Sequence, residues 1–283
     1  MARYHLHARS IVRAAGDDAH RLLNDTLTCR FDDELPGRGR WFALLSPQGK
    51  VQAEGLVTEA DGAFWFDLDA AVVADFIKRM KLYRLRAKVD IEHDPSLAVI
   101  WSPDVDGPAR AIIAYRDERA PTLGTRYLVR HEDIEAPASP EAEPNEAYYT
   151  AKIAAGVAEF GADFGVNEMF AHDIGLDLLG GIDFKKGCFI GQEVVSRMQH
   201  RGTARRRPVV VDGIPDGAAA GAPLLVGERE AGTIGTPVEG KAVAIVRLDR
   251  IEEGIPPTVG GLPVNLTLPE WATYKFGEVI AEA

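Results

Sequence analysis

The chain has 283 residues, of which 46% are hydrophobic, and a formal net charge of −11 at pH 7. This length predicts two or three domains, and the apolar fraction is that of an ordinary globular protein with a sizeable core. The negative charge argues against a non-specific nucleic-acid binder, because such proteins need surplus lysine and arginine to replace phosphate counterions. A local basic pocket for an anionic ligand remains compatible with this charge.

The cellular compartment is predicted from what the sequence lacks. No run of about 18 apolar residues suggests a membrane span, and residues 1–9 contain no apolar signal-peptide core. The two cysteines, Cys29 and Cys188, do not make a disulfide framework. We therefore expect a soluble, reduced, cytoplasmic protein.

The N-terminal half alternates strands with helices. A strand is predicted over residues 4–15, followed by an amphipathic helix that begins near Asp17 and Asp18. The clearest helix covers residues 69–83, because apolar residues recur there at helical spacing: Ala70, Val73, Phe76, Ile77, Met80 and Leu82. The predicted strands of this half are 41–45 and 51–58, which form a hairpin, and 64–68, 87–92, 97–101 and 109–115.

The C-terminal half differs from the N-terminal half in composition and in the spacing of its apolar runs. Residues 137–144 form a Pro/Ala/Glu loop, the best mid-chain boundary by composition. Helices are predicted over 145–158 and after residue 190, where Ile190, Val194 and Met198 recur every four positions. From Gly202 onwards, short apolar runs alternate with Gly/Pro turns at the spacing of a small barrel or sandwich.

Residues 185–193, KKGCFIGQE, hold a thiol, two ammonium groups, a carboxamide and a carboxylate. Cys188 is predicted just before or on the first turn of the following helix. A helix N-terminus and adjacent lysines both favour thiolate over thiol. A working thiol and a small, inert, buried cysteine are both compatible with this context, whereas Cys29 is expected to be a packing residue.

Residues 186–193, KGCFIGQE, resemble the K-G-C-[FY]-x-G-Q-E signature of the YgfZ-type folate-binding family, a relative of the glycine cleavage T-protein, an aminomethyltransferase. The resemblance extends to LDLLGG at 176–181, to Arg197 and 201–203, and more loosely to 47–50 and 82–89. It implies an α+β, three-domain cloverleaf of the T-protein type. The implied domains are a discontinuous folate-channel domain (1–54 and 131–201), a ferredoxin-like α+β domain (55–130) and a C-terminal β-barrel (202–283).

The resemblance also implies a cofactor, tetrahydrofolate or a derivative. The cofactor-binding residues expected from it are Lys186, Gly187, Gly191, Gln192, Glu193, Asp177 and Asp67. Structural alternatives stay open for several of them. Glu193 suits a role that only stabilises the helix N-terminus, an effect of about 0.3–1 kcal/mol. The two glycines suit backbone requirements, and Asp177 suits a brace for a turn.

Departures from the T-protein pattern bear on function. The glutamate that holds the pterin in T-proteins corresponds to residues 152–156, KIAAG, which lack a carboxylate. The catalytic Asp-Asp pair corresponds to Ala53 and Glu54, and the counterpart of Gly187 and Cys188 in T-proteins has no thiol. The residues that define aminomethyl transfer are therefore absent, and a cysteine has been added.

The mitochondrial relatives of the YgfZ-type family act in the maturation of iron–sulfur proteins. The resemblance therefore implies a folate-binding accessory factor for assembly or repair of iron–sulfur clusters in client enzymes, including tRNA-modifying radical enzymes. Cys188 would act as a reactive thiol and, because clusters normally take four protein ligands, as one ligand of a shared cluster. The expected partners are iron–sulfur proteins or cluster carriers and a folate, with no direct DNA binding, no membrane and a monomeric state. The alternative is a folate-dependent, aminomethyltransferase-like one-carbon transferase. A redox sensor that uses Cys188 is a third possibility.

Two further stretches each have a functional and a structural interpretation. The basic run at 200–207, HRGTARRR, suits either docking of an acidic protein or RNA or a solvated linker face, of which the solvated face is favoured. His172 and Asp173 invite a metal interpretation, but a single nearby cysteine at irregular spacing does not predict structural zinc.

Overall fold

A computed structural model describes residues 3–31, 35–105, 107–134, 146–202 and 204–277. These residues contain the helices α1 (Ala19–Thr26), α2 (Val73–Arg84), α3 (Glu146–Ala155) and α4 (Gln192–Arg201), together with short 3₁₀ turns. The strands are β1 (Tyr4–His5), β2 (Arg9–Ala15), β3 (Arg38–Leu45), β4 (Val51–Ala60), β5 (Ala63–Asp69), β6 (Asp90–Asp94), β7 (Leu97–Ser102), β8 (Ile113–Asp117), β9 (Thr125–Arg130), β10 (Arg206–Asp212), β11 (Pro223–Val226), β12 (Arg229–Ile234), β13 (Lys241–Arg247), β14 (Pro257–Val259), β15 (Leu262–Pro263) and β16 (Asn265–Thr267).

The larger sheet has nine strands in the order β1-β7-β9-β8-β3-β4-β5-β2-β6. Neighbouring strands are antiparallel except β3 and β8, which run parallel. The central strand β3 is buried from Gly39 to Leu45, and β4 is buried from Val51 to Thr58. Both faces of these strands are therefore covered, which explains the apolar run from Trp41 to Leu45 in β3. Strand β4 also buries three polar side chains, those of Gln52, Glu54 and Thr58.

Helix α4 packs closely against the turn between β3 and β4. Ser46 and Gly49 close the turn through backbone hydrogen bonds, and Gly49 has a positive φ of 78°. A Cβ at Gly49 would lie 2.8 Å from side-chain atoms of Val194 in α4. The glycine therefore permits both the turn and the close approach of α4.

The smaller sheet has seven strands in the order β15-β14-β11-β12-β13-β10-β16 and surrounds its own hydrophobic core, which includes Val209, Leu224 and Val246. The C-terminal segment returns to the rest of the molecule: the Trp271 indole donates a hydrogen bond of 2.9 Å to the Ala155 carbonyl at the end of α3. The predicted β-rich C-terminal unit is present.

Several predicted boundaries differ from the structure. Residues 4–15 form two strands, and a 3₁₀ turn at Ala70–Val72 precedes α2. Leu82 is 66% exposed, so its predicted place on the buried face of α2 is wrong. Leu85 ends the helix with φ 48°, and the next strand therefore begins only at Asp90. A turn at 108–111 likewise delays β8 to Ile113.

The implied domain boundary between residues 54 and 55 falls inside β4. Strand β2, from before this boundary, pairs with β5 and β6, from after it. The division into domains stays a prediction. The predicted loop boundary at 137–144, the helix start at Asn145 and Thr203 of the motif's continuation lie outside the described residues.

Candidate functional site

Gly191 fixes the end of the signature motif against the core. Helix α4 begins at Gln192, and Gly191 immediately before it has a positive φ of 79°. A Cβ at this position would lie 2.7 Å from the Ser46 carbonyl oxygen and 2.9 Å from the Leu45 Cβ. Gly191 therefore meets a backbone requirement, as the structural alternative for this residue supposed.

The Lys186 side chain is buried, and its ammonium contacts backbone carbonyl groups of the same chain. Its ammonium donates hydrogen bonds to the carbonyls of Asn24 (2.7 Å), Leu27 and Cys29 (2.8 Å), and lies 5.1 Å from the centroid of the Phe189 ring. These carbonyls lie at and beyond the C-terminal end of α1, where a cation is favoured by the helix dipole. Contact between this ammonium and a folate would have to break one of these bonds.

Cys188 is exposed, in contrast to the inert buried alternative. It lies on the loop just before α4 rather than on its first turn. The neighbouring Gly187 is also exposed, and a Cβ added to it would meet no atom within 4 Å. The thiol and the backbone beside it are therefore open to an approaching molecule.

Cys29 has the opposite environment. It is 1% exposed and belongs to the main hydrophobic core, so its predicted packing role is confirmed. Burial raises the pKa of its thiol to about 12, against the lowering effect of the nearby Lys186 ammonium. The two cysteines therefore differ sharply in accessibility.

The two polar residues that begin α4 face outwards to different degrees. Gln192 is half-buried at the first helical position. The Glu193 side chain is 85% exposed and accepts a hydrogen bond of 2.8 Å from Arg197, one turn further along the helix. An acidic group in the first turn of a helix stabilises it, so this placement suits the capping alternative for Glu193.

Asp177 links the segment that precedes the motif to strand β10. Its carboxylate accepts two hydrogen bonds, of 2.7 and 3.0 Å, from the Arg207 guanidinium in β10. The same guanidinium donates to the His172 carbonyl at 2.7 Å. This bidentate pair joins the segment before the motif to the smaller sheet. One residue of the basic run at 200–207 is thereby engaged inside the molecule.

Asp67 lies deep inside the molecule on β5. Its carboxylate accepts hydrogen bonds from Arg9 (2.5 Å), Arg126 (2.5 Å) and the Tyr115 hydroxyl (3.0 Å). Burial alone would raise the pKa of Asp67, but the two guanidinium groups outweigh this effect and hold the pKa below its usual value. The carboxylate is therefore ionised and fully occupied by partners within the chain.

Asp67 belongs to a buried ionic network. Arg126 and Arg119 both contact Asp117, Glu159 and the Tyr148 hydroxyl. The guanidinium groups overcome the effect of burial and lower the pKa of Glu159 as well. Because a buried charge that loses its partner is costly, these groups depend on one another.

Neither position that corresponds to a T-protein functional carboxylate carries an accessible one. Glu54 is fully buried, and its carboxylate accepts hydrogen bonds from the Trp41 indole and from the Phe160 backbone N–H. Ala154 is exposed and has no carboxylate, while Lys152 is buried against Asp163. The described residues therefore offer no open carboxylate at either position.

A cavity of about 560 Å³ lies beside the motif, within the size range of small-molecule sites. Its basic lining residues are Arg30, Arg38, Arg40 and Lys185, its acidic ones are Glu118 and Asp183, and Trp41 and Phe184 add aromatic rings. Arg30 pairs with Asp183, and Arg38 pairs with Glu118. The lining thus has an excess of positive charge in an acidic chain, which favours an anionic ligand.

Most of the residues that line this cavity are not predicted as site residues from the sequence. Arg38 and Arg40 alternate on β3, so strand periodicity places them on the same face, and this was the available signal. For Lys185, the sequence is equally compatible with a contact to the anionic glutamyl tail of a folate and with an ordinary solvated lysine. Among the described residues that line the cavity, neither Cys188 nor any of the seven expected cofactor-binding residues is found. Their assignment to a folate stays a prediction.

The described residues contain no group of three or more His, Cys, Asp or Glu side chains arranged to hold a metal ion. Within the same residues, no helix has the length and apolar character needed to cross a membrane.

Comparison with known proteins defines the fold class. The structure superimposes on glycine cleavage system aminomethyltransferase T from Bartonella henselae with a TM-score of 0.73, covering 97% of this chain and 87% of that one at 14% identity. Residues 205–274 match the family described as CAF17, C-terminal beta-barrel domain. The chain is therefore an α+β protein with the T-protein fold and a C-terminal β-barrel, which confirms the predicted fold class.

Its sequence relatives are more specific. The chain is 29% identical over 261 residues to "Iron-sulfur cluster assembly factor IBA57 homolog, mitochondrial" of Chaetomium globosum, covering 80% of this chain and 60% of that protein. It is 29% identical over 253 residues to the human IBA57 factor, covering 76% and 69%. The Neurospora crassa homologue is 26% identical over 228 residues, covering 71% and 51%. The chain thus spans between about half and two thirds of these relatives' lengths.

These comparisons refine two predictions. The chain is similar to IBA57-type assembly factors with a CAF17-type barrel, whereas the YgfZ-type assignment stays a prediction. The predicted cytoplasmic location is contradicted, because these relatives are named mitochondrial. Reduced cysteines and an absent membrane span do not distinguish one reducing compartment from another, so composition was an insufficient basis for it.

Proposed function

We propose that this chain is an assembly factor for iron–sulfur clusters and acts together with iron–sulfur proteins. The observation that carries the proposal is its similarity, over 76–80% of its length, to proteins named as iron–sulfur cluster assembly factors. An exposed thiol on an open loop supports it from the structure. Tetrahydrofolate or a derivative completes the proposal as a ligand of the basic cavity.

The cluster is cargo in this proposal. The described residues hold no group of three potential metal ligands, and Cys188 is the exposed cysteine. Because a cluster normally takes four protein ligands, Cys188 supplies one of them and the partner protein supplies the rest. Tetrahydrofolate is not required for this step, so the two parts of the proposal are tested separately.

The lining of the cavity fits a reduced folate. Arg38 and Lys185 would hold the carboxylates of the glutamyl tail, and the exposed ring of Phe184 would contact an aromatic ring of the ligand. The carboxylates Glu118 and Asp183, which pair with Arg38 and Arg30, are the acidic acceptors in the lining for pterin N–H groups. Bound folate would supply one-carbon chemistry or a structural signal, and these residues would bind and orient it.

The thiol is tested in cells that lack the native protein. We expect Cys188→Ser to lower the activity of iron–sulfur client enzymes, including a tRNA-modifying radical enzyme, while leaving the melting temperature unchanged. Cys29→Ala is the matched control, because it removes a buried cysteine far from solvent. Full client activity with Cys188→Ser would reject the working thiol.

The folate is tested by calorimetric titration with tetrahydrofolate. We expect Arg38→Ala and Lys185→Ala each to weaken binding about tenfold, because a hydrogen bond to a charged group contributes about 1.5–3 kcal/mol. Lys241→Ala in β13 removes an exposed lysine of the barrel and is the control. Equal affinities for all three variants, or no binding by the wild type, would remove folate from the proposal.

The one-carbon transferase alternative has a direct test. With glycine-cleavage components and tetrahydrofolate, we expect no formation of methylenetetrahydrofolate, because Ala154 lacks a carboxylate and Glu54 is buried. Sustained turnover in this assay would replace the assembly-factor proposal with the transferase.

A further inference from the structure

A second concave surface lies at the C-terminal end of α2, on residues separate from the signature motif. Its cavity has a volume of about 640 Å³ and is lined by Arg21, Leu22 and Asp25 of α1 and by residues 83–87. The buried Leu22 is part of this lining, as are the basic residues Arg21, Arg84 and Arg86. We call this cavity and residues 78–88 the α2-end surface.

The α2-end surface concentrates positive charge. Residues 76–89, FIKRMKLYRLRAKV, contain six basic side chains and no acidic one, although the whole chain carries a net charge of −11. Lys78, Lys81 and Arg86 are exposed and make no hydrogen bond or ion pair with any described residue. These charges therefore do not serve the fold through partners in the described part of the chain.

Two leucines stand out among these charges. Leu82 is 66% exposed and Leu85 is 86% exposed. Leu85 also has φ 48°, a backbone region that glycine favours. Large apolar side chains held in water beside arginines and a tyrosine are the composition of a protein–protein contact, whose centre combines apolar anchors with arginine.

We propose that the α2-end surface docks an acidic segment of a partner protein that carries an apolar side chain between its carboxylates. The apolar side chain would enter the cavity over Leu22, and the carboxylates would pair with Arg84, Arg86 and Lys81. Charge complementarity supports a protein occupant, because the surface is basic and also presents apolar anchors.

Two other occupants fit less well. A nucleic acid is held through phosphate and base contacts and makes little use of two exposed leucines. A lipid surface requires a broad apolar face along a helix, whereas here a concave cavity with Asp25 in its lining lies beside only two leucines.

The test uses the full chain and a fluorescein-labelled peptide of Glu-Glu-Leu-Leu repeats, with binding measured by fluorescence anisotropy. We expect Leu85→Gly, which removes the side chain at a backbone conformation that glycine tolerates, to weaken binding about tenfold. We expect the same of Lys81→Glu and Arg86→Glu. Lys241→Glu, an equal change of charge on an exposed lysine of β13, is the matched control and should leave binding unchanged.

Peptides and alternative ligands complete the experiment. A peptide with serine in place of leucine should bind more weakly, and raised salt should weaken binding of both peptides. Equal binding by wild type and by all three surface variants would overturn the proposal. So would affinity for anionic phospholipid vesicles or for single-stranded RNA equal to that for the peptide, if the same variants abolished it. Tetrahydrofolate titrations of these variants should match the wild type, which separates this proposal from the folate site.

Discussion

The Lys186 ammonium lies 2.8 Å from the Cys29 carbonyl oxygen and so fastens the signature motif to the chain just beyond α1. Lys186 thereby joins two segments that are far apart in sequence. Exposed Cys188 lies two residues after this buried anchor. The motif thus combines a fixed point inside the molecule with a thiol at its surface.

Loss of this anchor should destabilise the protein. Lys186→Ala removes a charged donor from the carbonyls of Asn24, Leu27 and Cys29. We expect the free energy of unfolding to fall by about 2–4 kcal/mol, because buried acceptors are left without donors. Urea denaturation measures this change. Lys185→Ala, at the exposed neighbouring position, should stay within about 0.5 kcal/mol of wild type, and equal losses for both variants would refute the anchoring role.

The two cysteines should react at very different rates with a thiol reagent at mildly alkaline pH. Cys188 is exposed, whereas Cys29 is buried and its pKa is raised to about 12 by that burial. We expect one thiol per native chain to label quickly, and none in Cys188→Ser until denaturant is added. Fast labelling of two thiols in the native protein would contradict this assignment.

The two glycines of the motif should differ in their tolerance of alanine. Gly191→Ala places a Cβ against the Ser46 carbonyl at a positive φ, so we expect a loss of about 1–3 kcal/mol in denaturation. Gly187→Ala meets no atom within 4 Å, and its melting temperature should equal that of wild type. Lower client activity with a stably folded Gly187→Ala would indicate that a partner approaches this backbone closely. A destabilised Gly187→Ala would show that the local structure is tighter than described.

His5 should make stability depend on pH. Burial, with the nearby His7 and His131, lowers the pKa of His5 from 6.5 to about 4. The unfolded chain therefore binds a proton near pH 6.5, while the folded chain does not until about pH 4. The free energy of unfolding should fall as the pH drops through this interval.

Denaturation between pH 7 and pH 4 measures this effect. His5→Gln should flatten the dependence on pH, and His200→Gln, at an exposed position on α4, should leave it as in wild type. An unchanged slope in His5→Gln would show that other groups govern this interval.

Local pattern predicted much of the fold. Helical spacing located α2, and short apolar runs between turns located β10, β11, β13 and β16 but not β12, β14 and β15. The pattern failed at Leu82 because periodicity describes a helix in isolation, whereas the last turn of α2 projects beyond the core. The strands that begin at residues 90 and 113 were predicted to begin too early. Turns at Leu85 and at 108–111 precede them, and the residues of these turns resemble strand residues in sequence.

Side-chain partners distant in sequence were beyond prediction. Nothing in the spacing of residues 185–193 reveals that Lys186 binds carbonyls near the end of α1, or that Asp67 meets Arg9 and Arg126. Such pairs arise from the path of the chain through the sheet. The cavity beside the motif was missed for the same reason, since its lining comes from Arg30, from β3, from Glu118 and from the segment between Leu179 and Lys185.

The strand order of the larger sheet has a consequence for biosynthesis. Strand β2 lies between β5 and β6, and β3 lies between β4 and β8, so early strands find their neighbours only after later segments have been made. A nascent chain must leave the ribosome at least as far as Arg130 before every edge of β2, β3 and β8 is paired. Such long-range pairing slows folding and leaves strand edges exposed in the meantime, so this half of the protein is where a chaperone would act during synthesis.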